Sequence, residues 1–410
     1  MPTTHLVEVA EYHRERSCQP RRVILGRPQP TELGGMKVTP PALESQLALA
    51  GSPLGRTVAT TPTDIWNDSC AVDELEYAIS FGATGATANP TIVTDVWKKA
   101  PVQWRDRVRE LVRDKPAWSE TDLAWAIVDE MSIRGARLLE PAFEAHAGRQ
   151  GRLSVQTDPT HFGSAERMLT QALHFESLAP NIIVKFPATS AGLPGIEEAT
   201  ARGISVNVTV CFSVAQALAA AEAIERGLRR REASGESTDR MGPVVTLMMG
   251  RIEDWLRVQM ERDGIVASPI ALPWSGVAVF KRAYRIFRER GFRARLLGAA
   301  IRHHYHWSEL IGGDVVITMP STWQRRFNAS SVEVRPRIDE DVDPSIVGEL
   351  AARFPDFVRA YEPDALLATE FDAFPPTVRT LRAFIASYHE LLHLVTDAAL
   401  PNPDLKSEGV

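Results

Sequence analysis

From residue 62 onward the sequence repeats one pattern, in which a short apolar run is followed by an amphipathic helical stretch. Several of these runs are apolar at consecutive positions, which is typical of strands buried on both faces of a parallel sheet. Eight such strands separated by helices predict a (β/α)8 barrel. The predicted strands are 64–68, 84–88, 153–157, 181–187, 205–211, 243–249, 293–299 and 314–319.

A doubly wound open sheet would show the same alternation of strands and helices, so periodicity alone does not choose between the two folds. No GxGxxG motif follows the first strand and no GxxxxGK[ST] motif occurs in the chain. Their absence weakens the nucleotide-binding form of the open sheet.

Helical patterns fill the spaces between the strands and continue beyond the last one. We expect a helical insertion near 101–150, because this segment is longer than an ordinary βα connection. Residues 1–60, with short helices near 6–16 and 41–50, are predicted to form an extension packed on a barrel at 61–400. Residues 320–375 are rich in Pro, Asp and Arg and are expected to be irregular. The predicted helices are 71–81, 91–113, 121–147, 163–178, 194–202, 213–231, 251–263, 275–290, 303–311 and 376–396.

Composition excludes several classes of function. The chain has 46 Lys and Arg against 52 Asp and Glu, a net charge of −6, so it lacks the basic surface of a nucleic-acid binder. It contains no apolar run of membrane-spanning length, and charged residues stand where a signal peptide needs an apolar stretch. We therefore expect a cytoplasmic protein with no membrane partner. Cys18, Cys70 and Cys211 are too widely spaced for a disulfide framework or a CxxC zinc site.

Lys185 is the first candidate for chemistry. The chain has only seven lysines against 39 arginines, and this one lies inside an apolar strand. Desolvation lowers the pKa of a lysine and makes its free amine available, as Schiff-base formation with a ketone requires. The structural alternative is a lysine at a strand end that reaches solvent or pairs with a carboxylate.

Three segments around this lysine resemble motifs of the transaldolase family. They are Gly85-Ala-Thr-Ala-Asn-Pro-Thr-Ile92, Val184-Lys-Phe-Pro-Ala-Thr189 and Asn207-Val-Thr-Val-Cys-Phe-Ser-Val-Ala-Gln216. The family patterns are Gly-x-Thr-Thr-Asn-Pro-Ser-Ile, Ile-Lys-Ile-Pro-Ala-Thr and Asn-x-Thr-x-x-Phe-Ser-x-x-Gln. All three occur in order, and the resemblance covers about residues 62–320.

The resemblance implies a barrel whose Schiff-base lysine is Lys185 and whose proton-transfer aspartate is Asp68. Asp64 competes for the second role from four residues earlier, and an N-cap function is the structural alternative for Asp68. Asn207 and Thr209 stand two apart on one strand, so their side chains share a face. The other implied positions are Gln156 and Thr209 for the catalytic water, Asn89, Asn207 and Thr246 for the substrate, and Arg251 and Arg302 for its phosphate.

Four residues depart from the family pattern. Gln156 replaces the usual Glu that polarises a water, and an amide cannot carry a negative charge or accept a proton. The related fructose 6-phosphate aldolases carry Gln at this position. Ala300 replaces a phosphate-binding Ser, while Thr246 and Met248 are further changes. The predicted function is thus transaldolase-like transfer, with aldolase-like release of dihydroxyacetone or sugar-phosphate binding without turnover as alternatives.

No metal or cofactor is expected. The tract from Arg302 to Trp307 contains three histidines, but the adjacent His303 and His304 cannot face each other on a helix. The segment His389-Glu-Leu-Leu-His393 matches HExxH, yet only Asp397, Asp404 and Glu408 follow it as acidic ligands. The expected partner is a sugar phosphate, and the protein is expected to be a monomer or homodimer.

Overall fold

The computed structural model describes residues 51–404, and its eight strands close into one parallel barrel. Each strand pairs with the next in sequence, and the last pairs with the first. The predicted (β/α)8 fold is confirmed, and the open sheet is excluded. The strands are β1 (Asp64–Asn67), β2 (Gly85–Thr87), β3 (Arg152–Gln156), β4 (Ile182–Pro187), β5 (Val206–Cys211), β6 (Val244–Leu247), β7 (Arg295–Gly298) and β8 (Val316–Met319).

Fifteen α-helices lie in the described part of the chain. They are α1 (Pro53–Thr60), α2 (Val72–Ser80), α3 (Pro90–Lys99), α4 (Pro101–Asp114), α5 (Glu120–Ala145), α6 (Ala165–Leu178), α7 (Gly192–Ala201), α8 (Val214–Ala233), α9 (Met249–Asp263), α10 (Ala271–Arg290), α11 (Tyr305–Ser308), α12 (Ser321–Asn328), α13 (Pro344–Arg353), α14 (Pro355–Tyr361) and α15 (Pro375–Ala399). Within residues 51–404 no helix is long and apolar enough to span a bilayer.

Proline explains where the helices differ from the prediction. The predicted helix 91–113 is two helices, because Pro101 forces Ala100 out of the helical region to φ −133° and ψ 58°. The prediction that 320–375 is irregular is wrong, since α12, α13 and α14 lie there with a 3-10 helix at Ala368–Ala373. Pro344 and Pro355 each stand at the first position of a helix. Proline is favoured there as well as in turns.

Most of the predicted N-terminal extension, including the helices expected near 6–16 and 41–50, lies outside the described residues. Its last part is α1, whose Leu54 N–H donates to Asn328 Oδ1 at 3.1 Å. Thr57 Oγ1 accepts a hydrogen bond from Trp307 Nε1 at 3.3 Å. The boundary between an extension and the barrel stays a prediction.

The inside of the barrel is divided into an apolar layer and a polar layer. The apolar layer is a buried cluster separate from the main core, and it includes Trp66, Ile183, Val244 and Val316. Two residues further along each strand the side chain again points inward, one step nearer the carboxyl end. The residues at those positions are Asp68, Lys185, Thr246 and Thr318. The polar layer therefore lies directly on a buried apolar layer.

An ion-pair cluster lies at the opposite, amino end of the strands. Arg295 Nη1 contacts Asp64 Oδ2 at 2.6 Å, and its Nε contacts Asp314 Oδ1 at 2.7 Å. The side chains of Arg295 and Asp64 are only 13% and 7% exposed. Gln150 Nε2 donates to the other Asp64 oxygen at 2.7 Å. Asp64 thus has a structural partner far from the carboxyl end, which removes it as a competitor of Asp68 for the site.

We expect Arg295→Met to lower the free energy of unfolding by about 3 kcal/mol, because it leaves a buried carboxylate without its cation. Urea denaturation measures the loss. Arg149→Met is the matched control, since the Arg149–Asp314 pair is 64% and 52% exposed and should contribute less than about 1 kcal/mol. Equal losses of unfolding free energy in the two variants would show that the buried pair stabilises the fold no more than the exposed pair does.

Candidate active site

Lys185 occupies β4 with its amine enclosed by the barrel wall. The residue is 5% exposed, and Nζ donates one hydrogen bond, to the carbonyl of Ala88 at 3.0 Å. Burial lowers the pKa of the amine from 10.5 to about 8, against smaller opposing effects of Asp68 and Cys70. About a tenth of the lysine is then unprotonated at pH 7, so the site holds a usable nucleophile.

Asp68 lies directly after β1 and is held by Thr87, which contacts a second threonine. Its Oδ1 accepts a hydrogen bond from Thr87 Oγ1 at 2.5 Å, and Thr87 Oγ1 is 3.0 Å from Thr318 Oγ1. The Asp68 charge raises the pKa of Lys185, although the two groups form no ion pair within the described barrel. Asp68 is not a side-chain N-cap, because the cap residue of α2 is Ala71. The N-cap alternative is therefore excluded.

Gln156 and Asn89 border the lysine on the side of β2 and β3. Gln156 is the register partner of Lys185 across β3 and β4, and its Oε1 is buried without a hydrogen-bond partner in the described structure. Asn89 caps α3, with its Oδ1 accepting from Ile92 N at 3.0 Å. This bond fixes the amide so that the NH₂ group is the part left for a ligand.

Asn207 is the register partner of Lys185 on the other side, in β5. Its Oδ1 accepts from Thr246 Oγ1 at 2.6 Å, and its Nδ2 donates to Ser154 Oγ at 3.0 Å. One N–H of the amide remains available. Thr246 is thus occupied by Asn207, and its direct contact with a substrate stays a prediction.

Thr209 follows Asn207 on the same inward face and is almost fully buried. Its nearest polar contact is the sulfur of Met248 at 3.9 Å, a weak acceptor. The next residue, Val210, has φ +52°, which is strained for a β-branched side chain. The register between β5 and β6 shifts at this point, and the buried Gln216 donates to the carbonyl of Val210 at 3.2 Å.

Arg251 and Arg302 come together because the first turn of α9, after β6, touches the loop after β7. A Cβ on Gly250 would lie 1.9 Å from the Ala300 carbonyl oxygen and 2.8 Å from Arg302 Cγ, so only glycine allows this approach. Arg302 is held by Asp254 through Nε at 3.0 Å and Nη2 at 2.7 Å. Burial lowers the pKa of Arg251, and the charge of Arg302 lowers it further.

The two arginines are in different states. Arg251 Nε is buried with no hydrogen-bond partner in residues 51–404, whereas Arg302 is already paired with a carboxylate. Arg379, from α15, donates to the Asp254 carbonyl at 3.1 Å. The guanidinium groups of Arg251 and Arg302, with the unpartnered Nε of Arg251, therefore form a place where an anion is favoured.

Sequence reasoning missed the residues that hold the site in place. Thr87 binds Asp68 and is itself in contact with Thr318, and Ser154 binds Asn207. Gln216 fixes the loop after β5 by donating to the carbonyls of Ala188 and Val210. Thr87 and Gln216 stand inside the quoted motifs, so the motifs contained the signal. Thr318 could have been found as a polar residue two positions after the inward, apolar Val316.

The sequence is similar to known proteins over most of its length. A family model described as Transaldolase/Fructose-6-phosphate aldolase matches residues 65–356. The transaldolase of Thiobacillus denitrificans is 30% identical over 367 residues, which is 82% of this chain and 98% of that protein. The chain belongs to the transaldolase and fructose 6-phosphate aldolase family. Transaldolases of Mycobacterium ulcerans and Mycolicibacterium smegmatis are each 27% identical, over 55% and 59% of this chain and 62% and 66% of their own lengths.

Membership of this family of enzymes confirms the resemblance drawn from the three motifs. The roles of single residues remain predictions. The structure brings Lys185, Gln156 and Asn207 into one register row. It leaves Arg302 paired with Asp254 and Thr246 paired with Asn207.

We expect Asp68→Asn to lower the pH at which Lys185 becomes reactive. The amine has a pKa of about 8, and the Asp68 charge raises it. Removing that charge should move the midpoint down by about one pH unit. The measurement is the rate of Lys185 methylation by formaldehyde and cyanoborohydride across pH, followed by peptide mass. Asp64→Asn is the control at the other end of β1. A larger shift of the pH midpoint in that variant would favour Asp64 over Asp68 as the aspartate that acts on Lys185.

Proposed function

We propose that the protein transfers a three-carbon dihydroxyacetone unit from a ketose phosphate to an aldehyde acceptor through a Schiff base on Lys185. The observation that carries the proposal is a buried amine with a pKa of about 8 at the carboxyl end of a family barrel. Neutral amine adds to the C2 carbonyl, water leaves, and an iminium forms. The iminium is the electron sink, so the proposal needs no metal or cofactor.

Asp68 is the proposed base for bond cleavage. Its carboxylate takes the proton of the C4 hydroxyl, the C3–C4 electrons move into the iminium, and an aldose leaves. The enamine of dihydroxyacetone stays on Lys185 until an acceptor aldehyde forms the new bond. Support comes from the nearness of Asp68 to the amine, since its charge raises the pKa of Lys185. Thr87 holds the carboxylate in place, and Thr318 contacts Thr87 in turn.

Two amides and two arginines are proposed to orient the substrate. Asn89 and Asn207 each have N–H groups left over after their own hydrogen bonds, and these can donate to the substrate hydroxyls. Arg251 and Arg302 are proposed to bind the distal phosphate, with the unpartnered Nε of Arg251 as the supporting observation. Gln156 and Thr209 are proposed to position the water that serves in proton transfer. Oligomeric state and cellular location stay predictions.

Gln156 favours a second candidate, an aldolase that releases free dihydroxyacetone. The two reactions differ in whether water protonates the enamine before an acceptor captures it. An amide can hold a water but cannot take a proton from it. The candidate is supported by the register of Gln156 with Lys185 and by its Oε1, which has no hydrogen-bond partner among the described residues.

We expect fructose 6-phosphate and borohydride to give a reduced adduct on Lys185 and no adduct on Lys281. Both lysines are buried, but Lys281 donates to Glu309 Oε2 at 2.9 Å and to the carbonyls of Arg337 and Glu340 at 2.9 and 3.0 Å. All three of its donors are occupied, so a ketone could reach this amine only by displacing these partners. Intact mass and peptide mapping make the measurement, and Lys185→Met is the control.

A folded protein that forms no adduct with several ketose phosphates would contradict the proposed reaction and favour sugar-phosphate binding without turnover. The same trapping with unphosphorylated fructose checks the arginines. Equal efficiency with and without the phosphate would remove Arg251 and Arg302 from the proposal.

We expect Gln156→Glu to raise the ratio of transfer to cleavage by about tenfold, as a single positioned acid or base contributes at least this much. Transfer is measured as entry of labelled glyceraldehyde 3-phosphate into fructose 6-phosphate, and cleavage as free dihydroxyacetone. Gln216→Glu is unsuitable as a control, because that side chain pins a loop. Gln171→Glu, whose Oε1 accepts from the Asp158 backbone N–H at 2.6 Å, is the control. A Gln156→Glu ratio that does not change would show that this residue does not set the outcome.

A further inference from the structure

Three metal-binding side chains meet outside the proposed active site. Glu253 on α9 and His303 and His306 at α11 each place one donor atom so that the three atoms lie within 4.8 Å of one another. Glu253 and His306 are buried, and His303 is half-buried. We expected no metal here because His303 and His304 are adjacent and cannot face each other on a helix. The pair that meets is three residues apart, and its carboxylate comes from the preceding βα unit.

The contacts inside this cluster leave nitrogen atoms unused. His303 Nε2 is 3.1 Å from Glu253 Oε2, and the two histidine rings are 4.0 Å apart between centroids. His306 Nδ1 accepts from the Arg302 N–H at 3.2 Å. His303 Nδ1 and His306 Nε2 are buried with no hydrogen-bond partner in the described residues, and His306 is fully buried. Buried polar atoms without partners are rare and call for an explanation.

We propose that Glu253, His303 and His306 bind a divalent transition-metal ion of the zinc class. Two imidazoles and one carboxylate form a ligand set that zinc uses, with a fourth position left open. Imidazole favours zinc, copper or nickel, whereas magnesium and calcium favour oxygen ligands. Nothing in the reaction proposed above requires this ion.

Neighbouring groups prepare the cluster for a cation. Arg257 Nη2 donates to Glu253 Oε1 at 2.6 Å, which orients the carboxylate and leaves its other oxygen toward the histidines. Such outer partners commonly fix metal ligands. Because His306 Nδ1 accepts a hydrogen bond from the Arg302 N–H, the ring proton of His306 is assigned to Nε2. Coordination through Nε2 moves the ring proton to Nδ1, and the metal–nitrogen bond replaces the hydrogen bond from Arg302.

The position of the cluster gives the ion a structural consequence. Glu253 belongs to the segment after β6 and the histidines to the segment after β7. Arg251 and Arg302, the proposed phosphate ligands, precede them by two residues and one residue. A bound ion would tie these two segments together, as the close contact of Gly250 with Ala300 already does.

The test is a titration of the chelator-treated, full-length protein with Co²⁺, a spectroscopic substitute for Zn²⁺. We expect one equivalent to produce a visible ligand-field band that Zn²⁺ abolishes. His303→Asn and Glu253→Gln should each weaken binding by at least about a hundredfold, more than the loss of an outer partner does. His304→Asn, which changes the adjacent histidine outside the cluster, should bind as the unmodified protein does. Circular dichroism checks that each variant is folded.

The histidines of the HExxH segment provide the competing location. His389 and His393 line an open groove with Glu120 and Asp397, and Glu390 contacts Lys98 Nζ at 2.6 Å. A double His389→Asn, His393→Asn variant should retain Co²⁺ binding. Loss of binding in this variant alone, or no stoichiometric binding by the unmodified protein, would overturn the proposal. Because the measurement involves no sugar, its result is independent of whether Lys185 forms a Schiff base.

Discussion

Desolvation of one ammonium group is the condition on which the rest of the site depends. Lys185 is enclosed by the strands, has one carbonyl as hydrogen-bond partner, and has a pKa lowered to about 8. An apolar layer containing Trp66, Ile183 and Val244 fills the barrel beneath it. Because water cannot reach the amine from below, the charged form is disfavoured. The nearby Asp68 charge opposes this effect without cancelling it. The pKa therefore lies within about one unit of pH 7, and part of the lysine is uncharged there.

The polar layer is held together by short hydroxyl side chains around the proposed reacting groups. Thr87 holds Asp68, while Ser154 and Thr246 hold Asn207. Each of these hydroxyls satisfies a buried polar group that would otherwise cost free energy. The remaining N–H groups of the amides are fixed in direction before a substrate arrives, and fixed donors are the basis of electrostatic preorganisation.

The sequence predicted what repeats along the chain and missed what depends on contacts between distant segments. All eight strands, Lys185 and the family followed from apolar runs and three motifs. The short helices in 320–375 were missed because three turns or fewer carry little periodicity and because proline is as common in turns as at the start of a helix. The pairing of Arg302 with Asp254, and the meeting of Glu253 with His303 and His306, join two βα units. No spacing within either unit reveals those contacts.

The close contact between Gly250 and the Ala300 carbonyl also limits how this barrel can be altered. Ala300 has φ +62°, which restricts the backbone on one side of the contact, and the other side has no room for a Cβ. The two loops therefore form one module rather than two independent parts. A loop graft designed to change substrate choice must exchange both together, and a random library that varies only one of them will consist largely of misassembled variants.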